Sequence, residues 1–166
     1  VIKDNGTTVD ALAKQNVNTE TNRQDAKANI LAFAKRTNGN YGYWTDSSGK
    51  LLSKYVTSYP ANVYDNNSNL YTPTQNYKTY LKNELGKASV DARLITYEEL
   101  INLGCKRYTC KNAPSWVYST NYWTASAYSN SNVWDVNSNG NVDSSAFGYS
   151  GRYGLRPVIT ISKSDI

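Results

Sequence analysis

The chain has 166 residues, 39% of them apolar, with 18 basic against 13 acidic side chains and a formal net charge of +5. That length supports one domain with a hydrophobic core, and 15 Tyr with 4 Trp exclude a disordered chain, which is poor in aromatics. There is no His, and the basic residues are scattered, Lys106, Arg107 and Lys111 being the nearest to a cluster, so neither His-based catalysis nor a nucleic-acid-binding face is expected.

Residues 1–18 are polar, and Val9, Leu12 and Ala13 fit one or two helical turns. From Thr19 the pattern firms: Ala26, Ile30, Leu31, Phe33 and Ala34 fall at helical spacing with Arg23, Lys27 and Lys35 opposite. Thr19 or Thr21 can cap the start, and Asn38-Gly39 gives a stop. A helix is therefore predicted over Thr21–Arg36, within a helical segment at about 19–37, packed against a sheet. Tyr41 to Lys50 reads as strand and turn, Leu51 to Tyr59 is apolar again, and Asp65 to Asn69 is a polar loop. Pro73 opens a second helix with Tyr77, Tyr80, Leu81 and Leu85 on one face and Gly86 as its C-cap. Arg93-Leu94-Ile95 is a short strand. Thr96 then caps Tyr97–Leu103, Glu99 holds the capping-box position, and Gly104 ends that helix.

Cys105 and Cys110 enclose Lys-Arg-Tyr-Thr. Two Cys without His supply too few ligands for a tetrahedral zinc site, and the spacing is not C-x-x-C. A small disulfide loop is favoured over free thiols, and it implies an oxidising, extracytoplasmic setting. The chain begins at Val1 and reads as a mature form or an excised ectodomain; it has no apolar run of about 18 residues to span a membrane.

From Asn121 to Ile161 the period shortens to two: Val133, with Trp134 out of phase, then Val136 and Val142. Asn139-Gly140 between the runs accepts the positive φ of a tight hairpin turn. Gly154 to Ile161 reads as a closing strand, with Pro157 at an edge or a strand start because it has no N–H. Almost everything between is Ser, Asn, Tyr or Gly. Asp135 to Asp143 also matches the start of a D-x-[DN]-x-[DN]-G calcium loop, but Ala146 occupies the twelfth place, where a bidentate Glu is wanted, and no helices flank it. The hairpin is favoured; calcium at 135–143 stays open, and no metal or other cofactor is expected to be required.

Without His, Ser/His/Asp and Cys/His arrangements are excluded, and no phosphate-binding G-x-x-x-x-G-K-[ST] occurs. Glu98-Glu99 are helix neighbours that point apart and suit capping rather than glycoside chemistry. An enzyme is not expected.

The order L-I-T-Y-E-E-L-I-N-L-G-C, P-S-W-V-Y-S-T-N-Y-W-T-A-S-A-Y, V-W-D-V-N-S-N-G-N-V and G-L-R-P-V-I, over about 94–161, resembles bacterial and phage surface domains of the C-type lectin-like fold. That group includes the variable proteins of diversity-generating retroelements and related pilin-borne or cell-surface modules. The resemblance implies an α+β fold over a single domain, 1–166, with a small twisted antiparallel sheet and flanking helices. It implies that Tyr97–Leu103 is the second helix, that Tyr122-Trp123-Thr124 is the core strand with Trp123 buried, that Trp134 and Val136 lie on the next strand, and that Gly154–Val158 closes the domain. It also implies a solvent-facing binding surface at Asn130, Asn132, Asp135, Asn137, Ser145, Phe147, Tyr149, Arg152 and Tyr153. Phe147, Tyr149, Arg152 and Tyr153 are expected at its centre, with Tyr128 joining the rim. The Asn-, Ser- and Tyr-rich composition suits adenine-directed diversification. The Glu-Pro-Asn signature of calcium-dependent sugar binding is absent.

The composition supports the same surface independently: Tyr gives large contact area at low conformational cost, and Ser, Gly and Asn give adaptable hydrogen bonds. The expected function is an extracellular binding module for a protein or glycan, on a cell surface, pilus or phage particle. The alternative is a structural subunit of a surface fibre. A formylglycine-generating-type enzyme, which shares this fold, would need free active-site cysteines.

Overall fold

The computed structural model describes residues 1–30, 33, 36–37, 40–41, 61–62, 64, 66, 68–87, 89–129, 132–146, 148 and 151–166, with 36–37, 40–41 and 61–62 described by their backbone. The two ends of the chain meet in one sheet. Strand β1 (Lys3–Asp4) pairs with β2 (Thr8–Leu12), β2 with β10 (Pro157–Ser162), and β10 with β6 (Asp91–Leu94), all antiparallel. Val158 lies opposite both Leu12 and Arg93, so β10 is central, and Pro157 is its first residue, where a missing N–H costs least. A second antiparallel sheet has the order β5 (Ala61–Asn62), β7 (Tyr122–Ala127), β8 (Asn132–Val136), β9 (Val142–Ala146). A short ladder joins β3 (Arg36–Thr37) to β4 (Asn40–Tyr41). Helices α1 (Tyr71–Asn83) and α2 (Tyr97–Asn102) complete an α+β fold that has, among the described residues, two α-helices and two small four-stranded sheets.

Strand β7 is buried on both faces, because its alternate residues feed two cores. Trp123, Ala125 and Ala127 join Val133 of β8, Phe33, Leu70, Tyr77 and Leu81 in one. Tyr122 joins Trp134, Val136, Val142, Val117 and the cystine in the other. Trp134 thus shares its face with Val136 and Val142, and Val133 is the residue out of phase. Trp123 is fully buried, as expected, with Phe33 edge-on at 6.0 Å.

One buried cation stitches these layers. Arg156, 1% exposed, donates through Nε to Ala13 O (2.8 Å), through Nη1 to Val117 O (2.9 Å), and through Nη2 to Lys14 O (3.1 Å) and Trp116 O (2.7 Å). Its guanidinium lies 5.0 Å from the centre of the Tyr122 ring, whose hydroxyl donates to Val117 O at 2.7 Å. A second ionic link runs between β2, β6 and α2. Arg93 grips Glu99 with two bonds of 2.6 and 2.8 Å and reaches Asp10 at 2.9 Å. Glu99 also accepts from Thr96 N while Thr96 Oγ1 accepts from Glu99 N, the capping box read from the sequence.

Several expected elements differ. Val9 and Leu12 lie in β2, and Ala13 follows it, so residues 8–12 are a strand rather than helical turns: pairing with β10 satisfies a backbone that two helical turns could not hold alone. The described part of 19–37 contains no helix. Asn18 Oδ1 accepts from Glu20 N and Thr21 N, Asp25 Oδ1 accepts from Lys27 N, and Asn22 has φ +55°. The Asn18 and Asp25 side chains thus offer the backbone local partners that compete with a helical ladder. Ile30 N instead donates to Tyr153 O, and Phe33 enters the core. Leu85 lies past the end of α1 and is exposed, while Thr74, Tyr77 and Leu81 make its buried face. The hairpin loop is Ser138–Gly140 rather than a two-residue turn: Asn137 N donates to Asn141 O, Gly140 N to Asn137 O, and only Gly140 is left-handed, at φ +86°. The stretches 42–50 and 51–59 lie outside the described residues, as do Asp65 and Asn67 of the polar loop.

Removing the Arg156 guanidinium strands four carbonyl acceptors inside the protein. Arg156→Met is expected to destabilise by on the order of 3–5 kcal/mol, as does the loss of other buried polar partners. Urea unfolding monitored by Trp fluorescence measures it; a midpoint close to wild type would refute the clamp.

Candidate functional site

The expected surface residues divide among three places. Asn130, Phe147 and Tyr149 lie outside the described residues. Tyr128 belongs to an aromatic platform around Trp134, and Asn132 begins the strand that carries that indole. The Tyr97 ring stacks on the indole at 4.5 Å, Tyr128 meets it edge-on at 4.9 Å, and Tyr108 lies tilted at 6.3 Å. The Arg107 guanidinium sits 4.9 Å from the Tyr108 ring and 5.8 Å from the Tyr128 ring, and donates to Tyr128 Oη at 3.2 Å. Trp134 is 4% exposed and Tyr108 53%, so the indole supports a wall whose outer members are open to solvent. Asn132 Nδ2 donates to Ser144 O across the β8–β9 pair.

The loop that presents Arg107 and Tyr108 is closed by the Cys105–Cys110 disulfide. Lys106 N donates to Thr109 O and Thr109 N to Lys106 O, so Arg107 and Tyr108 form a two-residue turn tip. Tyr108 has φ +71°, a left-handed conformation that costs a non-glycine residue about 1–2 kcal/mol. Cys110 N donates to Gly140 O, which docks the loop onto the β8–β9 hairpin. The sequence carried one unused signal for this site: an Arg-Tyr pair at the tip of a cystine-closed loop.

Asp135, Asn137, Ser145 and Tyr153 form an internal cluster instead. The expectation that Asp135 and Tyr153 face solvent fails: they are 0% and 6% exposed. Asp135 pairs in register with Trp123 on β7, so its side chain joins the Trp123 face of a sheet covered on both sides. Tyr153 lies against Trp123 at 4.7 Å between ring centres. Asp135 Oδ1 accepts from Asn137 Nδ2 at 3.0 Å, whereas Oδ2 is buried with no hydrogen-bond partner of good geometry. Ser145 Oγ donates to Tyr153 Oη at 3.0 Å. Burial pushes the Asp135 carboxyl up to about 7; the nearby Ser145 and Tyr153 hydroxyls offset this in part, and the Asp143 charge adds to it. Burial likewise raises the Tyr153 phenol.

Arg152 is placed elsewhere again, on the rim of a polar groove with Asn16, Lys27, Asn29, Asn121 and Ser138. Among the described residues, no three His, Cys, Asp or Glu side chains come together to hold a metal ion, and no helix is long and apolar enough to cross a membrane. Comparison of the chain with protein-family models, curated proteins and solved structures finds no match.

The cluster has a definite pH signature. An acid whose folded pKa is raised contributes no penalty below its unfolded value near 4, and stability falls as pH rises toward about 7. Asp135→Asn cannot ionise. Its stability relative to wild type should therefore grow between about pH 4 and 7, reaching on the order of 3–4 kcal/mol at the top of that range. Melting curves of both proteins across this range provide the measurement; a constant gap would mean an ordinary carboxylate. Tyr153→Ala, emptying a core position, should cost about 3 kcal/mol or more at any of these pH values.

Proposed function

We propose that the chain is an extracytoplasmic ligand-binding module of the C-type lectin-like kind, with the Trp134 platform as its principal binding face. The single observation that carries this is Tyr108: an exposed aromatic held in a left-handed conformation, at the tip of a cystine-closed loop, beside an Arg that stacks on it. Backbone strain of this kind persists where surrounding structure enforces it, and it concentrates at functional positions. Tyr and Arg over a Trp floor are also the residue types that dominate binding hot spots. The ligand is a protein or a glycan, for which a rigid aromatic wall with an Arg donor offers stacking and hydrogen bonds together.

Two further features support the lectin-like reading. The strand at 157–162 pairs with β2, near the start of the chain, and with β6, and a capping-box helix precedes the Trp123 strand. The disulfide is consistent with an oxidising compartment. A fibre subunit, the alternative, requires concentration-dependent assembly, and sedimentation that finds a monomer at all concentrations argues against it.

Tyr108→Gly and Arg107→Ala test the platform. Glycine accepts the left-handed conformation, so its melting temperature should stay near that of wild type while the aromatic contact is lost. On glycan and protein arrays, each ligand that wild type retains should bind about 30-fold more weakly to either variant, as at a hot spot. Undiminished binding by both would place the site elsewhere.

A further inference from the structure

A groove runs between the outer stripe of α1 and a turn from the start of the chain. Asn76, Thr79, Tyr80 and Asn83 recur at helical spacing, so they share one face of α1, beside the buried Thr74, Tyr77 and Leu81. With Glu84 they line a volume of about 260 Å³ whose opposite side carries Asn22. The Asn22 turn closes on itself: Asn18 N donates to Arg23 O (2.9 Å) and Asn22 N to Asn18 O (2.8 Å). It is tied to the helix as well, since Gln24 Nε2 donates to Tyr77 Oη at 3.4 Å while Gln24 Oε1 accepts from Gln15 N at 2.9 Å. The polar groups of the groove are uncommitted. Asn22 Oδ1 is shut off from solvent without a hydrogen-bond partner. The exposed amides of Asn76 and Asn83, the Tyr80 hydroxyl and the exposed Glu84 carboxylate have no partner among the described residues. Thr79 Oγ1 gives its proton to Gln75 O (3.0 Å) and is left to accept.

We propose that this groove is a binding subsite for one neutral sugar residue of a glycan. Primary amides donate and accept side by side, as sugar hydroxyls do, and three of them meet here. The Glu84 carboxylate accepts from two neighbouring hydroxyls through charge-assisted bonds, and the Tyr80 ring offers apolar contact to the C–H side of a sugar. A buried acceptor without a partner is costly; turning the Asn22 amide about its broad terminal torsion onto a ligand hydroxyl removes that cost. Glu84 disfavours an anion. A cation would leave the amide N–H groups unmatched, and Arg23 and Lys82 adjoin Asn22 and Asn83 in the chain. The volume is just below that of clefts for drug-sized ligands, which suits a single ring. The proposal goes beyond the platform and does not depend on it, since the two share no residue.

The test is NMR titration of the side-chain amide signals of Asn22, Asn76 and Asn83 with methyl glucoside, methyl galactoside, methyl mannoside and methylguanidinium. At least one hexoside should shift all three signals saturably at about millimolar concentration, and methylguanidinium should fail to displace it. Glu84→Gln should weaken that hexoside about tenfold. Asn76→Ala with Asn83→Ala, read at the Asn22 signal, should weaken it by at least about tenfold without lowering the melting temperature, because both positions are exposed and Ala is the better helix former. Tyr108→Gly should leave the titration unchanged, a result that stands even if the platform binds nothing. Silence with all three hexosides, full affinity in the double Ala variant, displacement by methylguanidinium, or loss of the shifts in Tyr108→Gly would each overturn the proposal, the third in favour of a cation site and the last in favour of the platform.

Discussion

The Arg156 guanidinium is the interaction on which the rest of the structure depends. It is a charge inside the protein without a carboxylate partner, balanced by four carbonyl dipoles and the face of Tyr122. Burial alone draws its pKa down, and the Tyr122 contact draws it back. Such a group is stable only if every donor is satisfied at once. Its four acceptors come from the segment after β2 and from the turn at 115–118, so satisfying it joins the chain's beginning to the segment that leads into β7. The neighbouring residue, Pro157, starts the central strand of the first sheet. One dipeptide therefore ends the loop that precedes it, opens a strand and anchors two distant segments.

The second sheet is held by a different constraint, the sharing of β7 and β8 between two cores. A strand exposed on one side alternates apolar and polar residues; β7 reads as Tyr-Trp-Thr-Ala-Ser-Ala with every position buried. Its polar members are satisfied within the sheet: Thr124 Oγ1 donates to Trp134 O and accepts from Ser126 N, while Ser126 Oγ accepts from Tyr97 N and so fixes the start of α2. Through that bond and the stacking of Tyr97 on Trp134, α2 and β8 hold the floor under the Cys105–Cys110 loop. The platform is thus a consequence of the core and not an addition to it: the indole that shares a core cluster with Val136 and Val142 presents its ring contacts to Tyr97, Tyr108 and Tyr128.

Chemically, the molecule separates what the composition had merged. Tyr, Asn and Ser are abundant throughout, but they serve three ends. Some build an aromatic wall beside a cation, some solvate a buried carboxylate, and some line a polar groove with Lys27 and Arg152. The internal cluster is unfavourable for an ionised Asp135, and that penalty is local, since Asp10, Asp91 and Glu99 all have carboxyls held below their ordinary range. In Asp10 and Glu99 burial is outweighed by hydrogen bonds, chiefly from Thr160 and Arg93 to the first and from Arg93 and Thr96 to the second, and in Asp91 the bond from Lys78 leads.

The sequence by itself determined those features whose cause is local or chemical. The Thr96–Glu99 box lies within one turn, so its residues meet whatever surrounds them. Cys105 and Cys110 are close enough in the chain to pair, and Pro157, without an N–H, is confined to an edge or a strand start. Tertiary structure alone decided the rest, because burial is a property of the neighbours. Helical spacing over 19–37 was real, but Asn18 and Asp25 close their own turns, and Phe33 and Ile30 find partners in Trp123 and Tyr153 rather than along a helix face. Asp135 and Tyr153 are expected at the surface because the resemblance implies a solvent-facing stretch there, whereas both are buried in or against a sheet covered on both faces. Arg107 and Tyr108 lie on a different segment from Tyr128 and Trp134, and only the folded chain brings that turn tip onto the indole, since no periodicity records contacts between separate segments.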